Sequence, residues 1–136
     1  MTIQYNTIQY NKDYLLIFKN GKFYNVYNDD AFIFHYLFNY KILKDDKSGF
    51  PETGLVKVIN TLDNEKINYQ IIYKDRNPIV KKFDKLNNYH KVLGKAIEYL
   101  ELTDKIEIIK KKIDEIEDYK VLERLIEVIN NELQRR

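Results

Sequence analysis

The sequence has no cysteine and no tryptophan, two histidines, two prolines and four glycines among 136 residues. Without cysteine there is no disulfide framework, and with only His35 and His90 there is no Cys/His zinc site. Neither histidine has a cysteine partner, and the lone Ser48 falls in a turn-like stretch, so no nucleophile triad can be assembled. The apolar runs all fall far short of the roughly 20 residues a membrane helix needs. The start, "MTIQYNTIQYNKDYLL", lacks the basic and apolar regions of a signal peptide, so the expectation is a soluble, cytoplasmic protein without a membrane partner. Charge of one sign is missing too: 23 basic and 21 acidic residues leave a net charge of +2, so bulk charge does not hold nucleic acid and any such site must be a local arrangement.

What remains is 44% apolar and 32% charged, the balance of a folded chain and not of a disordered one. Its length suits one domain with an appendage. The abundance of Asn, Lys, Ile and Tyr is compositional, and the echo "TIQYN" at 2–6 and 7–11 is too short to make a repeat architecture and reads as a polar lead-in.

"YLLIF" at 14–18 is a short apolar strand running into "KNGK", where Asn20-Gly21 predicts a tight hairpin turn. In the returning strand, Lys22 to Tyr27, alternation puts Phe23, Asn25 and Tyr27 on one face and Lys22, Tyr24 and Val26 on the other. "NDDAFIFHYLF" predicts a helix over about 28–38, with Asn28 or Asp29 as N-cap and acidic residues in its first turn. Its apolar residues go almost all the way round, which predicts burial between layers. "YKIL" reads as a strand and "KDDKSG" as a turn. Thr53 is placed to cap a helix over about 54–63 whose Leu55, Val58, Ile59 and Leu62 make a core-facing stripe. "KINYQIIYK" alternates as a strand near 67–73, and "IVKKF" reads as one more, which closes a compact domain over 1–83.

From 84 to 136 there is no proline and one glycine, Gly94, and the pattern is helical. Leu86, Tyr89, Leu93, Ala96, Ile97 and Leu100 form a first stripe, Ile106, Ile109, Ile113 and Ile116 a second, and Leu122, Leu125, Ile126, Ile129 and Leu133 a third after a phase shift near Asp118-Tyr119. A helical hairpin and a dimerising coiled coil both fit. The second outcome makes residues 84–136 a homodimer interface, because stripes of this length exceed what a small domain needs to cover itself. The fold class is α+β: a mixed sheet with flanking helices, then a helical extension.

At "LIFKNGKFYNVYNDDA" the sequence resembles the N-terminal mismatch-recognition domain of the MutS DNA mismatch repair family. The landmarks are Gly21-Lys22-Phe23-Tyr24-Asn25, Asp30-Ala31 and Gly49-Phe50-Pro51, in that order, over roughly residues 13–75. The resemblance implies a domain in which Phe23 wedges into distorted duplex DNA, where unstacking is cheapest. It implies a base contact at Asn25, where the family has a glutamate; an amide offers donor and acceptor in place of a carboxylate. Lys19, Lys22 and Lys41 are candidates for phosphate contact, with Asp29, Asp30, Asp45 and Asp46 nearby in sequence opposing a continuous basic strip. In a purely structural role, Phe23 would instead pack under the C-terminal helices and Asn25 would be an edge-strand polar residue.

No P-loop is present: Gly94-Lys95-Ala96 lacks both the earlier glycine and the hydroxyl, so this chain carries no mismatch-repair ATPase site. Asp29, Asp30, Asp45, Asp46 and Glu52 are candidates for a divalent-metal set, but helix-start and turn roles account for each. The expectation is a non-enzymatic module without cofactor or metal. Two functional classes stay open: a MutS-like module binding duplex DNA, and an interaction protein that keeps the fold and uses its helical tail for self-association or partner binding.

Overall fold

The computed structural model describes residues 13–83 and 86–135; the TIQYN echo lies outside them. The chain divides into two compact units between Leu100 and Glu101.

In the first unit, among the described residues, five strands form one mixed sheet in the order β3-β2-β1-β4-β5. The strands are β1 (Leu15–Asn20), β2 (Phe23–Tyr27), β3 (Lys47–Pro51), β4 (Tyr69–Ile72) and β5 (Ile79–Lys81). β1 is central, antiparallel to β2 and parallel to β4. The helices are α1 (Asp29–Phe38), α2 (Leu55–Glu65, entered through a 3₁₀ turn at Glu52–Gly54) and α3, which begins at Tyr89.

Strand alternation decides which side the helices cover. Leu15 and Ile17 of β1, Tyr24 and Val26 of β2, Phe50 of β3 and Tyr69 and Ile71 of β4 share a face and are buried with Ala31, Ile33, Phe34, Val58, Leu62 and Tyr89. Under β2 and β3 this core is aromatic: Tyr24 stacks on Phe50 at 5.3 Å, and Phe34 and Tyr40 stack on the same ring at 5.7 and 5.8 Å. The opposite face carries a smaller buried cluster of Leu16, Phe18 and Ile72, with Tyr14 and Tyr27 against it.

Asp30 ties three elements together. It is fully buried at the start of α1, accepts the Leu16 amide of β1 at 3.1 Å and the Tyr89 hydroxyl of α3 at 2.7 Å. The pairing of β1 with β2 stops at Phe18 and Asn25, so the carboxylate takes a strand amide beyond the end of that ladder. Asn28 does occupy the N-cap of α1, but its side chain makes no cap hydrogen bond.

Several local expectations change. The hairpin loop is Gly21-Lys22, because Asn20 pairs with Phe23; Gly21 takes the positive φ, 62°, at the first central position, as a type II′ loop requires. "YKIL" is not a strand: among these residues only Leu43 makes a bridge, to Lys47. Instead "KSGFP" is the strand, entered through Asp45 and Asp46, both at positive φ. Thr53 does not cap α2, since the 3₁₀ turn precedes it and no side-chain cap bond is made. The boundary expected at 83 falls short, because Tyr89, Val92 and Ala96 are buried in the core of the first unit. The first stripe is therefore shifted: Val92 is buried, while Leu86 precedes the helix and Ile97 is exposed.

In the second unit, α3 runs on to Asp114 and α4 spans Tyr119–Gln134. Asp118 caps α4, its carboxylate accepting the Lys120 and Val121 amides at 2.9 and 3.4 Å. Ile113, Ile116, Val121, Leu122 and Leu125, around the turn, are half-buried; Leu102, Ile106, Ile109, Ile126, Ile129 and Leu133 are exposed. Among the described residues no helix is long and apolar enough to cross a membrane.

Candidate nucleic-acid interface

Phe23 opens β2 directly after the hairpin loop and is 55% exposed, while its neighbours Tyr24, Asn25 and Val26 are all at or below 5%. The cause is the aromatic core. Tyr24 is held inward between Phe50 and the helices, so β-strand alternation turns Phe23 to the opposite face.

Asn25 is on that same face but is enclosed. Its register partner on β3 is Gly49, and a Cβ added at Gly49 would lie 2.8 Å from Asn25 Oδ1 and 3.2 Å from the Tyr24 carbonyl. Glycine is thus what leaves room for the amide. Burial pushes the Tyr27 phenol up, and the Asn25 side chain beside it offsets part of that shift. Asn25 is therefore a held polar group beside Phe23, not a free edge residue.

The lysines divide. Lys19 pairs with Tyr24 and so projects to the helix-covered face, away from Phe23. Its ammonium lies 5.2 Å above the Tyr24 ring and 2.9 Å from Glu52 Oε2, and it also donates to the Gly21 carbonyl. Its charge is already engaged, and it does not join Phe23 and Asn25. Lys22 is exposed in the loop itself, and its carbonyl accepts the Glu52 amide at 2.9 Å.

Lys47, which the sequence reading passed over, pairs with Tyr27 and shares the face of Phe23 and Asn25. The missed signal was the strand: once "KSGFP" is strand and not turn, alternation places Lys47 and Gly49 opposite Tyr27 and Asn25. Together with Lys41 and Leu43, these residues shape a surface recess of about 390 Å³ beside Phe23. Neither Lys41 nor Lys47 forms an ion pair among the described residues.

Two of the acidic residues in the candidate metal set, Asp30 and Glu52, take other places. Asp30 is buried in the hydrogen bonds described above, and Glu52 is bound to Lys19. Among the described residues no group of three or more His, Asp or Glu is arranged to hold a metal ion. His35 Nδ1 lies 3.0 Å from the Tyr40 carbonyl, and His90 is an exposed residue of α3 against the Tyr89 ring.

Comparison with curated proteins gives no match. The family model of MutS domain I matches residues 1–92, more than half of the chain and all of the sheet with its hairpin, Phe23 included. With that match and a mixed sheet in which the Gly-x-Phe-Tyr strand, the Asp-Ala helix and the Gly-x-Pro strand follow in order, the chain belongs to the MutS domain I family.

Proposed function

We propose that this chain is a non-catalytic, cytoplasmic module that binds duplex DNA and senses distorted or mismatched sites, with Phe23 as the stacking residue. The observation that carries this reading is a large aromatic side chain, 55% exposed, on the first residue of a strand whose next three residues are buried. A phenyl ring left in water at a hairpin end gains by stacking on a base, and a mismatch lowers the cost of opening the stack. Lys22, one residue before it, supplies a phosphate contact, and Asn25 is the nearest hydrogen-bonding side chain to a base edge.

The test is a salt-controlled binding series with matched and mismatched duplexes. Phe23→Ala is expected to lose about 1 to 3 kcal/mol on mismatched DNA and much less on matched DNA. Equal losses on both would reduce Phe23 to a fold or surface residue. Asn25→Glu, which installs the family's residue, should alter which mismatches are preferred.

A second reading is favoured by the second unit, whose Leu102, Ile106, Ile109, Ile126, Ile129 and Leu133 are all exposed. Rows of this kind call for a partner surface, and we infer that residues 84–136 pair two copies of the chain through helix packing of the coiled-coil type. Were DNA not bound, self-association or partner binding through this tail would be the remaining role.

A further inference from the structure

The sheet ends on one side at β5, which pairs with β4 alone; among the described residues no backbone hydrogen bond joins Ile79, Val80 or Lys81 on the side away from β4. The other edge differs, because the Leu43 amide closes on the Lys47 carbonyl of β3. An open edge offers unpaired N–H and C=O groups to any extended chain, and sheets commonly guard theirs with charge along the strand. β5 instead exposes two β-branched side chains, one to each face: Ile79, opposite Ile71, and Val80, opposite Gln70, are each 51% exposed. Its charge is gathered at the ends. Lys74 and Arg76 precede it, Lys81 and Lys82 close it, and Asp75 is the one acid between 74 and 82. Lys81 and Lys66 both reach toward Phe83, their ammonium groups 5.4 and 5.3 Å from the ring centroid. Among the described residues none of Lys66, Lys74, Lys81 and Lys82 forms an ion pair.

We propose that the β5 edge docks an extended segment of a partner protein, a short run of β-branched residues with aspartate or glutamate at its ends. The segment adds one more strand beside Ile79–Lys81. Its backbone pairs with the open edge, its alternate side chains cover Ile79 on one face and Val80 on the other, and its carboxylates meet Lys81 and Lys82 at one end and Lys74 at the other. Charge selects this occupant. A second copy of the chain would set the same lysines against these, and like charges across a strand pair repel. A phosphate backbone would satisfy the ammonium groups but leave the edge amides and the two apolar side chains without partners. Two strands, β1 and β4, separate β5 from β2, so the proposal stands apart from the DNA reading.

The experiment titrates the intact chain into a fluorescent peptide of alternating valine and threonine with aspartates at both ends, reading anisotropy for affinity and amide hydrogen exchange for location. Binding is expected, with slowed exchange at residues 79–82. The same peptide ending in lysines should bind about tenfold weaker, and Lys81→Glu with Lys82→Glu, both at exposed positions, should remove or reverse that preference, with circular dichroism confirming the fold. A third peptide, N-methylated throughout its valine and threonine stretch, keeps the carboxylates and loses the backbone pairing, so it should also bind about tenfold weaker than the first. No binding, equal affinity for the acidic and lysine-ended peptides, equal affinity for the methylated one, or binding without protection of residues 79–82 overturns the proposal. So does protection of 79–82 that grows with protein concentration in the absence of peptide, which gives the edge to a second copy. Protection by matched duplex DNA and not by the acidic peptide gives the lysines to phosphate and overturns it too.

Discussion

At the scale of single residues, the chain spends its polar groups on holding the sheet. The Asp30 carboxylate is the clearest case, since it takes one amide from β1 and one hydroxyl from α3 with no exposure to solvent. Tyr89→Phe removes a donor at 2.7 Å from a buried carboxylate, and is expected to cost about 1.5 to 3 kcal/mol of stability, the range of hydrogen bonds to charged groups. Asp30→Ala should cost more, because the Leu16 amide and the Tyr89 hydroxyl both lose an acceptor in the interior. Urea titrations of the two variants check both values, and an Asp30→Ala protein no less stable than Tyr89→Phe would show that the strand amide finds another acceptor. Buried phenols give a pH signature. Burial first and a hydrogen bond to Tyr73 second push the Tyr24 hydroxyl up to about 12, and burial with Asp63 beside it does the same for Tyr69. In the unfolded chain both titrate near about 10. Their contribution is therefore complete below about pH 10 and is lost as pH rises toward 12, because the unfolded state releases protons that the folded state keeps. The denaturation midpoint should fall steeply above about pH 10, and Tyr24→Phe and Tyr69→Phe together should flatten that fall.

At the scale of elements, legibility followed the strength of the local pattern. α2 was readable because Leu55, Val58, Ile59 and Leu62 repeat at helical spacing, and Val58 and Leu62 are indeed buried with the other two packed beside them. The β1–β2 hairpin was readable from its glycine, and the alternation that put Phe23 and Asn25 on one face holds. Its loop was misplaced by one residue because Asn-Gly signals a type I′ turn, whereas the register here leaves Gly21-Lys22 as the loop. β3 was missed because "KSGFP" contains serine, glycine and proline, all poor strand formers. Tertiary context overrides this: Phe50 stacks into the aromatic core, Gly49 accommodates Asn25, and Pro51 ends an edge strand where a missing amide costs little. The same miss hid half of the recess, since Lys47 gains its position only from that strand. Lys19 illustrates the converse, a charge close to Phe23 in sequence but turned to the other face by the two-residue period. Among the described residues, the Ser48 hydroxyl of β3 is fully buried with no hydrogen-bond partner.

At the scale of the whole molecule, the two units differ in how they treat apolar surface. The first encloses Tyr89, Phe18, Phe34 and Phe50 completely, whereas no described residue of the second is buried. In α3 the row Leu102, Ile106, Ile109, Ile113 has the 4-3-4 spacing of a coiled-coil seam, and in α4 Leu122, Ile126, Ile129, Leu133 repeat it. Within one copy, only the residues near the turn gain cover; Ile109 is 54% and Ile126 57% exposed. The flanks of the α3 row carry Lys105, Lys110 and Lys112, and those of the α4 row carry Glu123 and Glu132. Like rows would place lysine against lysine, so the charges favour α3 of one copy against α4 of the other. For the proposed self-association a two-fold pair is the commonest closed arrangement, and it would offer two Phe23 sites to the proposed duplex and so add avidity. Light scattering over a concentration series is expected to show a dimer, and a monomer at every concentration would refute it. Ile109→Asp with Ile126→Asp, both at exposed positions, should yield monomers whose sheet unit unfolds at an unchanged urea midpoint. Binding of mismatched DNA by those monomers should weaken while the effect of Phe23→Ala on each site stays the same, because avidity multiplies the affinity of a site without changing its contacts.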